Sequence, residues 1–257
     1  MFDLEKFDLK LSTEIIGRNF IYADEVPSTN SELLNKADIY KTHGSVFLAE
    51  KQTEGRGRKN RKWDSQEEMN LTFSILITEN RYFKKNPNLI NFAASLSVAL
   101  AIENLYQLKA ELKWPNDILV DRKKMAGILL ESVSEGNNIS RLVIGIGLNV
   151  NQVSFPHKYL IPPTSLKREV GQRADREKSL AEVLNNFETL LESSLNSSNR
   201  ILEEWKSKCN LIGERITVQI GQEKKQGIFH DIDDKGYLVL RTKDNLETMH
   251  SGDVSII

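Results

Sequence analysis

The 257-residue chain has one cysteine, Cys209, so no internal disulfide can form. There is also no His/Cys cluster of the kind that binds zinc. Cys209 therefore reads as a buried, inert thiol. An excess of charge is equally absent: 35 basic residues face 36 acidic ones, a net charge of −1. A general nucleic-acid binder carries a basic domain, so no nucleic-acid partner is expected. The longest mostly apolar stretch, Leu89 to Leu108, is broken by Asn91, Ser95, Ser97, Glu103, Asn104 and Gln107. It reads as a buried helix, not a membrane span. The opening "MFDLEKFDLK" carries acids from its third residue and lacks the basic start and apolar run of a signal peptide. A cytoplasmic protein without a membrane partner is the expectation. No P-loop pattern, internal repeat or low-complexity tract is present.

Hydrophobic residues make up 39% and charged residues 28%, enough for a sizeable core. Strands are expected over 20–26, 45–52, 70–78, 111–121, 125–133 and 140–151, and helices over 29–37, 88–108, 176–195 and 200–208. The segment "RKK" (122–124) is the expected hairpin connection between two of the strands. After Cys209 the texture changes to short apolar strands separated by Gly and Asp turns at intervals of roughly ten residues, the pattern of a small barrel or sandwich. Residues 1–209 and 210–257 are therefore expected to form two domains. The first mixes strands and helices without regular alternation, which predicts an α+β domain: a mixed, largely antiparallel sheet backed by helices. About twenty residues precede the first strand, too few for a DNA-reading domain there.

Three stretches could carry chemistry. "GRGRKNRKW" (55–63) packs five cations, two glycines and a tryptophan between two strong strands. Its arginines suit carboxylate or phosphate, its glycines a close backbone approach; a solvated basic loop is the plainer alternative. "PSTNSE" (27–32) fits a capping box from Thr29 to Glu32. The same helix start can hydrogen-bond a polar neutral ring. "KWPNDILVDRKKMAGILLE" (113–131) brings an acid and lysines to adjacent strands, where they could bind and polarise an anionic substrate. A plain Pro-Asn-Asp turn explains its first half equally well. "GIGLNV" (145–150) lacks the third glycine of a dinucleotide fingerprint.

Together these segments resemble the biotin protein ligases. The resemblance rests on "STN" (28–30), "HGSVFLAEKQTEGRGRKNRKW" (43–63), "NLTFS" (70–74), "KWPNDI" (113–118), "KMAGIL" (124–129), "GIGLNV" (145–150) and "TSL" (164–166). They occur in the family's order over most of residues 11–210. It implies a class II synthetase-like catalytic domain followed by a C-terminal SH3-like β-barrel. It also implies two half-reactions: biotin and ATP give biotinyl-5′-AMP, and a lysine of a biotin carboxyl-carrier domain then takes the biotinyl group. Mg²⁺ is expected on the nucleotide phosphates.

By similarity, Ser28, Thr29, Asn30, Gln52, Gly55, Arg56 and Gly57 bind biotin at its ring, and Gly127, Ile128 and Leu129 line its channel. Arg58 and Lys124 face the carboxylate and α-phosphate. Arg61, Trp63, Asn116 and Asn149 join them on the nucleotide side. Asp117 faces the reacting lysine, so Lys124, Asp117 and Arg58 are the expected catalytic residues. The family commonly has glycine where Asn60 stands here. Asparagine tolerates left-handed backbone, so the turn is expected to persist at that position. The family's repressor members carry an additional DNA-binding domain, and no operator-binding role is expected here. Lipoate or octanoate ligation and a non-catalytic binding module are the competing readings. An exposed sheet edge leaves a homodimer open.

Overall fold

The computed structural model describes residues 1–35, 42–84, 86–136, 138–243 and 245–256. The chain begins with α1 (Leu4–Asp8), β1 (Phe20–Val26), α2 (Thr29–Asn35), β2 (Val46–Gln52) and β3 (Leu71–Ile77). Next come α3 (Asn88–Tyr106), β4 (Glu111–Lys113), β5 (Asp117–Val120), β6 (Lys123–Glu135) and β7 (Asn138–Leu148). Then follow α4 (Leu166–Val170), α5 (Arg176–Asn196) and α6 (Ser198–Ser207). The chain closes with β8 (Arg215–Ile220), β9 (Glu223–Ile232), β10 (Leu238–Arg241), β11 (Leu246–Met249) and β12 (Asp253–Ile256). The expected helix over 29–37 runs to Asn35; its last two positions lie outside the described residues.

Seven strands form one sheet in the order β1-β2-β3-β7-β6-β5-β4, and five form a second in the order β11-β10-β9-β8-β12. Only β1 and β2 pair in parallel; the other pairs of the large sheet are antiparallel. The five-stranded sheet is antiparallel throughout. This is the mixed, helix-backed α+β architecture expected from the sequence.

Side-chain alternation gives the large sheet two different faces. On one, Phe73, Ile75 and Ile77 of β3, Ile144 and Ile146 of β7 and Ile128 of β6 join the main core with α3 and α5. Each such side chain contributes about 1.5–3 kcal/mol on burial. Helix α3 is apolar nearly all round because it is enclosed. It alone among the described helices has the length and hydropathy to cross a membrane, and most of it is buried inside the fold. On the opposite face, β3 presents Thr72 and Ser74, β7 Gly145 and Gly147, and β6 Gly127. Beneath α2 this face is apolar, where Leu33, Phe47, Leu76 and Val143 cluster. The small residues leave a shallow trough across the middle of the sheet.

The hairpin joining β5 to β6 is tighter than expected. Its two turn residues are Asp121 and Arg122, both left-handed with φ of 49° and 59°. Lys123 and Lys124 already belong to β6. Left-handed backbone at both positions matches the twist of a two-residue hairpin, achieved here without glycine. One residue on, the register slips: Ile118 pairs with Ala126 but Leu119 pairs with Lys124. This bulge leaves Met125 unopposed and re-aims the residue before it.

The second sheet docks on the first unit through backbone contacts. Trp114 donates its indole N–H to the Gly236 carbonyl at 3.2 Å, and the Asn88 amide donates to that of Lys235 at 2.8 Å. Gly236 is left-handed, and any side chain there would strike the Phe92 ring. Cys209 is buried as expected, and burial pushes its thiol up to about 11.

Candidate active site

A cavity of about 1450 Å³ lies over the trough, bounded by the 56–63 loop, the 155–163 segment and the start of β12. Pockets for one small molecule run to roughly 300–1,000 Å³, so this one has room for two ligands side by side.

The polar end is built from the start of α2. Gln52 Oε1 accepts from the Thr29 backbone N–H (2.8 Å) and lies 3.1 Å from the Thr29 hydroxyl. Ser74 hydrogen-bonds the Thr29 hydroxyl at 2.6 Å and donates to Asn30 Oδ1 at 2.5 Å. The Asn30 amide donates to the Leu129 carbonyl at 3.3 Å and to Glu131 Oε2 at 2.7 Å. Asn30 lies flat on Gly145, where a methyl group would overlap its amide. Ser28, Thr29 and Asn30 are all buried, and together with Gln52 they line the cavity.

Two residues along β7 the floor changes occupant. The Trp63 indole lies on Gly147, and a Cβ at that position would collide with it. Trp63 also approaches Gly127, the cross-strand partner of Gly147. Its Nε1 is buried without a hydrogen-bond partner, as is the hydroxyl of Thr72, which pairs with Gly147 from β3. Trp63 thus lies on the trough floor, between the polar end and Lys124. Buried polar atoms without partners are rare in folded proteins, and these two both lie at Gly147 on the trough floor.

The far end is charged. Lys124 Nζ is 2.6 Å from Asp117 Oδ1 and 5.6 Å from the Trp63 ring centre. Arg58 donates to Asn116 Oδ1 and to the Gly252 carbonyl, both at 3.3 Å. The Asn116 amide in turn donates to the Ile128 carbonyl at 2.6 Å. Burial pulls the Arg58 guanidinium below its ordinary value, although Asp253 and Asp117 oppose that shift. Asn149 spends its amide on the carbonyls of Thr164 (2.9 Å) and Lys124 (3.5 Å), which leaves its oxygen as the group free to accept. Ile128 packs its side chain into the core and reaches the cavity through its backbone, while Leu129 contributes the carbonyl held by Asn30.

The basic loop is a miniature hairpin. Trp63 N–H donates to the Gly55 carbonyl at 2.9 Å and Gly57 N–H to that of Arg61 at 2.6 Å, with a short 3₁₀ turn over Arg58–Asn60. The left-handed residue is Lys59 (φ 55°, ψ 41°), which corrects the expectation for Asn60. Gly55 is required for space, since a Cβ would overlap the Trp63 carbonyl. Gly57 is extended, a conformation open to any residue, so its backbone angles do not require glycine. Arg56 turns toward Glu131 (3.3 Å) at the polar end. Arg61 and Lys59 both pair with Asp253 of β12, Lys59 at 3.1 Å. Burial alone would raise the Asp253 carboxyl, but the bond from Lys59 and the charges of Arg61, Lys59 and Arg58 hold it below the ordinary value.

Several contributors were not singled out in the sequence. Gly145 and Gly147 form the floor, and their spacing of two on a strand was the available signal. Lys113 lines the cavity opposite Asp117 in the β4–β5 ladder; burial lowers its ammonium, with Lys124 and Arg61 adding to the effect against Asp117 and Asp253. Glu131 and Asp253 give no local signal.

The biotin/lipoate A/B protein ligase family model matches residues 22–149, and the biotin protein ligase C-terminal domain model matches residues 211–256. The bifunctional ligase/repressor BirA of Bacillus spizizenii is 33% identical over 249 residues, 96% of this chain and 76% of that protein. The chain belongs to the biotin protein ligase family. The biotin–[acetyl-CoA-carboxylase] ligase of Mycobacterium tuberculosis is 31% identical over 88% of this chain and 85% of its own length. Among solved structures, the Aquifex aeolicus biotin protein ligase in complex with biotin and ATP superposes with a TM-score of 0.81 at 32% identity. That match covers 93% of this chain and 99% of the Aquifex one.

Proposed function

We propose that this biotin protein ligase uses the trough for biotin and the charged end for ATP, and that an acceptor lysine approaches beside Asp117. Overall, biotin and ATP give biotinyl-5′-AMP and pyrophosphate, and the biotinyl group then passes to a protein lysine. The observation that carries the assignment of ends is the polarity of one continuous trough: over Gly145 the hydroxyl and amide groups of Thr29, Asn30 and Ser74, with Arg56 balanced by Glu131; beyond Gly147 the cations around Lys124.

In the first step a biotin carboxylate oxygen bonds to the α-phosphorus of ATP as the bond to pyrophosphate breaks. Two anions must approach. Lys124, Arg58 and Lys113 supply fixed positive charge where that repulsion is greatest. The Lys124 ammonium exchanges its Asp117 partner for the carboxylate and phosphate oxygens. Among the described residues no three His, Cys, Asp or Glu side chains converge to hold a metal. Mg²⁺ borne by the nucleotide phosphates would spread their charge.

In the second step the lysine amine attacks the anhydride carbonyl, and AMP leaves. A free lysine has pKa of about 10.4, so a neutral amine at pH 7 costs about 4–5 kcal/mol. Asp117, released from Lys124, is positioned to orient the amine and accept its proton. The Asn149 oxygen suits the exocyclic amine of adenine and opposes the carbonyl of guanine. Residues 1–209 act as the catalytic unit. Residues 210–257 act as a cap that supplies Asp253 and Gly252 to the loop. The biotin carboxyl-carrier domain of a carboxylase is the proposed acceptor, and the cytoplasm the proposed setting.

Purified protein mixed with biotin, ATP, Mg²⁺ and a carrier domain should add one biotinyl group to the carrier, read by intact mass. Lipoate in place of biotin should add nothing, because the polar end offers a dithiolane no partners. A lipoyl gain without a biotinyl one would overturn the reading.

A further inference from the structure

Glu131 lies outside the cavity lining, yet two lining residues converge on it. It follows Gly127 and Leu129 on the same face of β6, two residues per step. Its carboxylate accepts from the Asn30 amide at 2.7 Å and from Arg56 Nη2 at 3.3 Å through each oxygen. Asn30 comes from the start of α2 at the polar end of the trough, Arg56 from the basic loop. No other side chain among the described residues bonds both.

The consequence for Asn30 is orientation. An amide can sit either way round, and the two ways present opposite chemistry to a ligand. Ser74 on its oxygen, with Leu129 and Glu131 on its nitrogen, leaves one arrangement. The second lone pair of Asn30 Oδ1 then remains for a ligand N–H. For Arg56 the consequence is restraint: the loop's first arginine is held toward the polar end, away from the three cations that gather at Asp253.

We propose that Glu131 is a positioning residue that clamps the ring end of the trough to the basic loop and so governs how tightly the biotin ring is held. The proposal rests on the reading of that end as the biotin-ring site. The Arg56–Glu131 pair is partly exposed, and such a pair adds little to fold stability. The clamp acts on ligand retention instead.

The test is calorimetric titration of biotin, without ATP, into wild type, Glu131→Gln, Arg56→Gln and the double variant. Glutamine keeps the length and can still accept from Asn30, but it removes the charge that holds Arg56. The expected result is about a tenfold loss of biotin affinity in Glu131→Gln, about 1.4 kcal/mol, with a faster dissociation rate. The melting temperature and the KM for ATP should stay as in wild type. The double variant should be no weaker than the worse single one. Unchanged biotin affinity in Glu131→Gln, or losses that multiply in the double variant, overturns the clamp. If Glu131→Gln melts early, Glu131→Asp carries the test: its shorter reach loosens both contacts, and normal biotin affinity there overturns the proposal equally. Failure of wild type to bind biotin would instead remove the functional reading beneath it.

Discussion

Lys124 Nζ lies 2.6 Å from the Asp117 carboxylate, and the neighbouring Lys123 points away to Asp121 (3.1 Å) and Glu169 (3.3 Å). Two adjacent lysines thus serve different purposes, and the bulge at Met125 is the reason. In an unbroken strand Lys123 would share the trough face with Gly127 and Leu129. The extra residue shifts that face to Lys124. Lys124→Ala should lower the rate of biotin adenylation by about 10²–10³-fold, the typical loss for one preorganised charge-stabilising group. Lys123→Ala should stay within about twofold, as expected of an exposed pair. Pyrophosphate release measures both, and equal loss in the two variants would refute the assignment.

The helix-backed sheet, the helix start at Thr29 and the 55–63 loop were legible because each is local, but the expected Thr29–Glu32 capping box is replaced: Thr29 N–H donates to Gln52 and Glu32 N–H to the Ser28 carbonyl. Alternation marks a strand and caps mark a helix start, while cations between glycines mark an anion loop. The bulge was not legible, since "RKKMAGIL" reads as a regular strand under either register. Asp253 was invisible for another reason: it meets Lys59 across 194 residues of chain, and a single aspartate at the start of a short strand carries no sign of its partner. Trp63 was assigned by its flat face alone. Its seat depends on Gly147, and the glycines of "GIGLNV" were weighed as a nucleotide fingerprint and not as a floor.

That floor can be filled. Gly147→Ala places a methyl group where the Trp63 indole now lies, and Gly145→Ala places one against Asn30. Both should weaken biotin binding by at least about tenfold, since overpacking a close contact costs typically 1–3 kcal/mol. Gly57→Ala is the control: its backbone is extended and the nearest atom to an added Cβ is 3.5 Å away. It should bind biotin as wild type does. Titration of biotin into the three variants distinguishes a steric floor from a general need for glycine.

Stability should depend on a different pair. Arg176 is 2.6 Å from Glu50, both almost fully buried, and Glu50 also accepts from the Phe2 N–H (3.0 Å) and the Tyr22 hydroxyl (2.8 Å). Burial, with Glu50 adding, pushes that hydroxyl up to about 12. Arg176→Leu strands the Glu50 carboxylate, and breaking a buried pair from one side costs about 3–5 kcal/mol. Melting should drop by roughly 10 °C, with biotin affinity retained below the transition. A variant that melts normally but loses biotin would place this pair in the site.

The last prediction concerns pH. Burial lowers the Lys113 ammonium from its ordinary 10.5, so its charge is lost at a lower pH than that of an exposed lysine. The sign differs for function and for folding. The folded state releases the proton first, so as pH rises from the lowered value toward 10.5 the contribution of Lys113 to stability improves. Over the same window a cation of the proposed ATP end disappears, so ATP binding should weaken. The KM for ATP, followed by pyrophosphate release so that no acceptor lysine titrates, should climb on an alkaline limb that begins below 10.5. Lys113→Arg should flatten that limb, because a guanidinium stays protonated. Lys113→Ala should show a high KM across the whole range. An alkaline limb that persists unchanged in Lys113→Ala would assign the titration to another group and remove Lys113 from the nucleotide site.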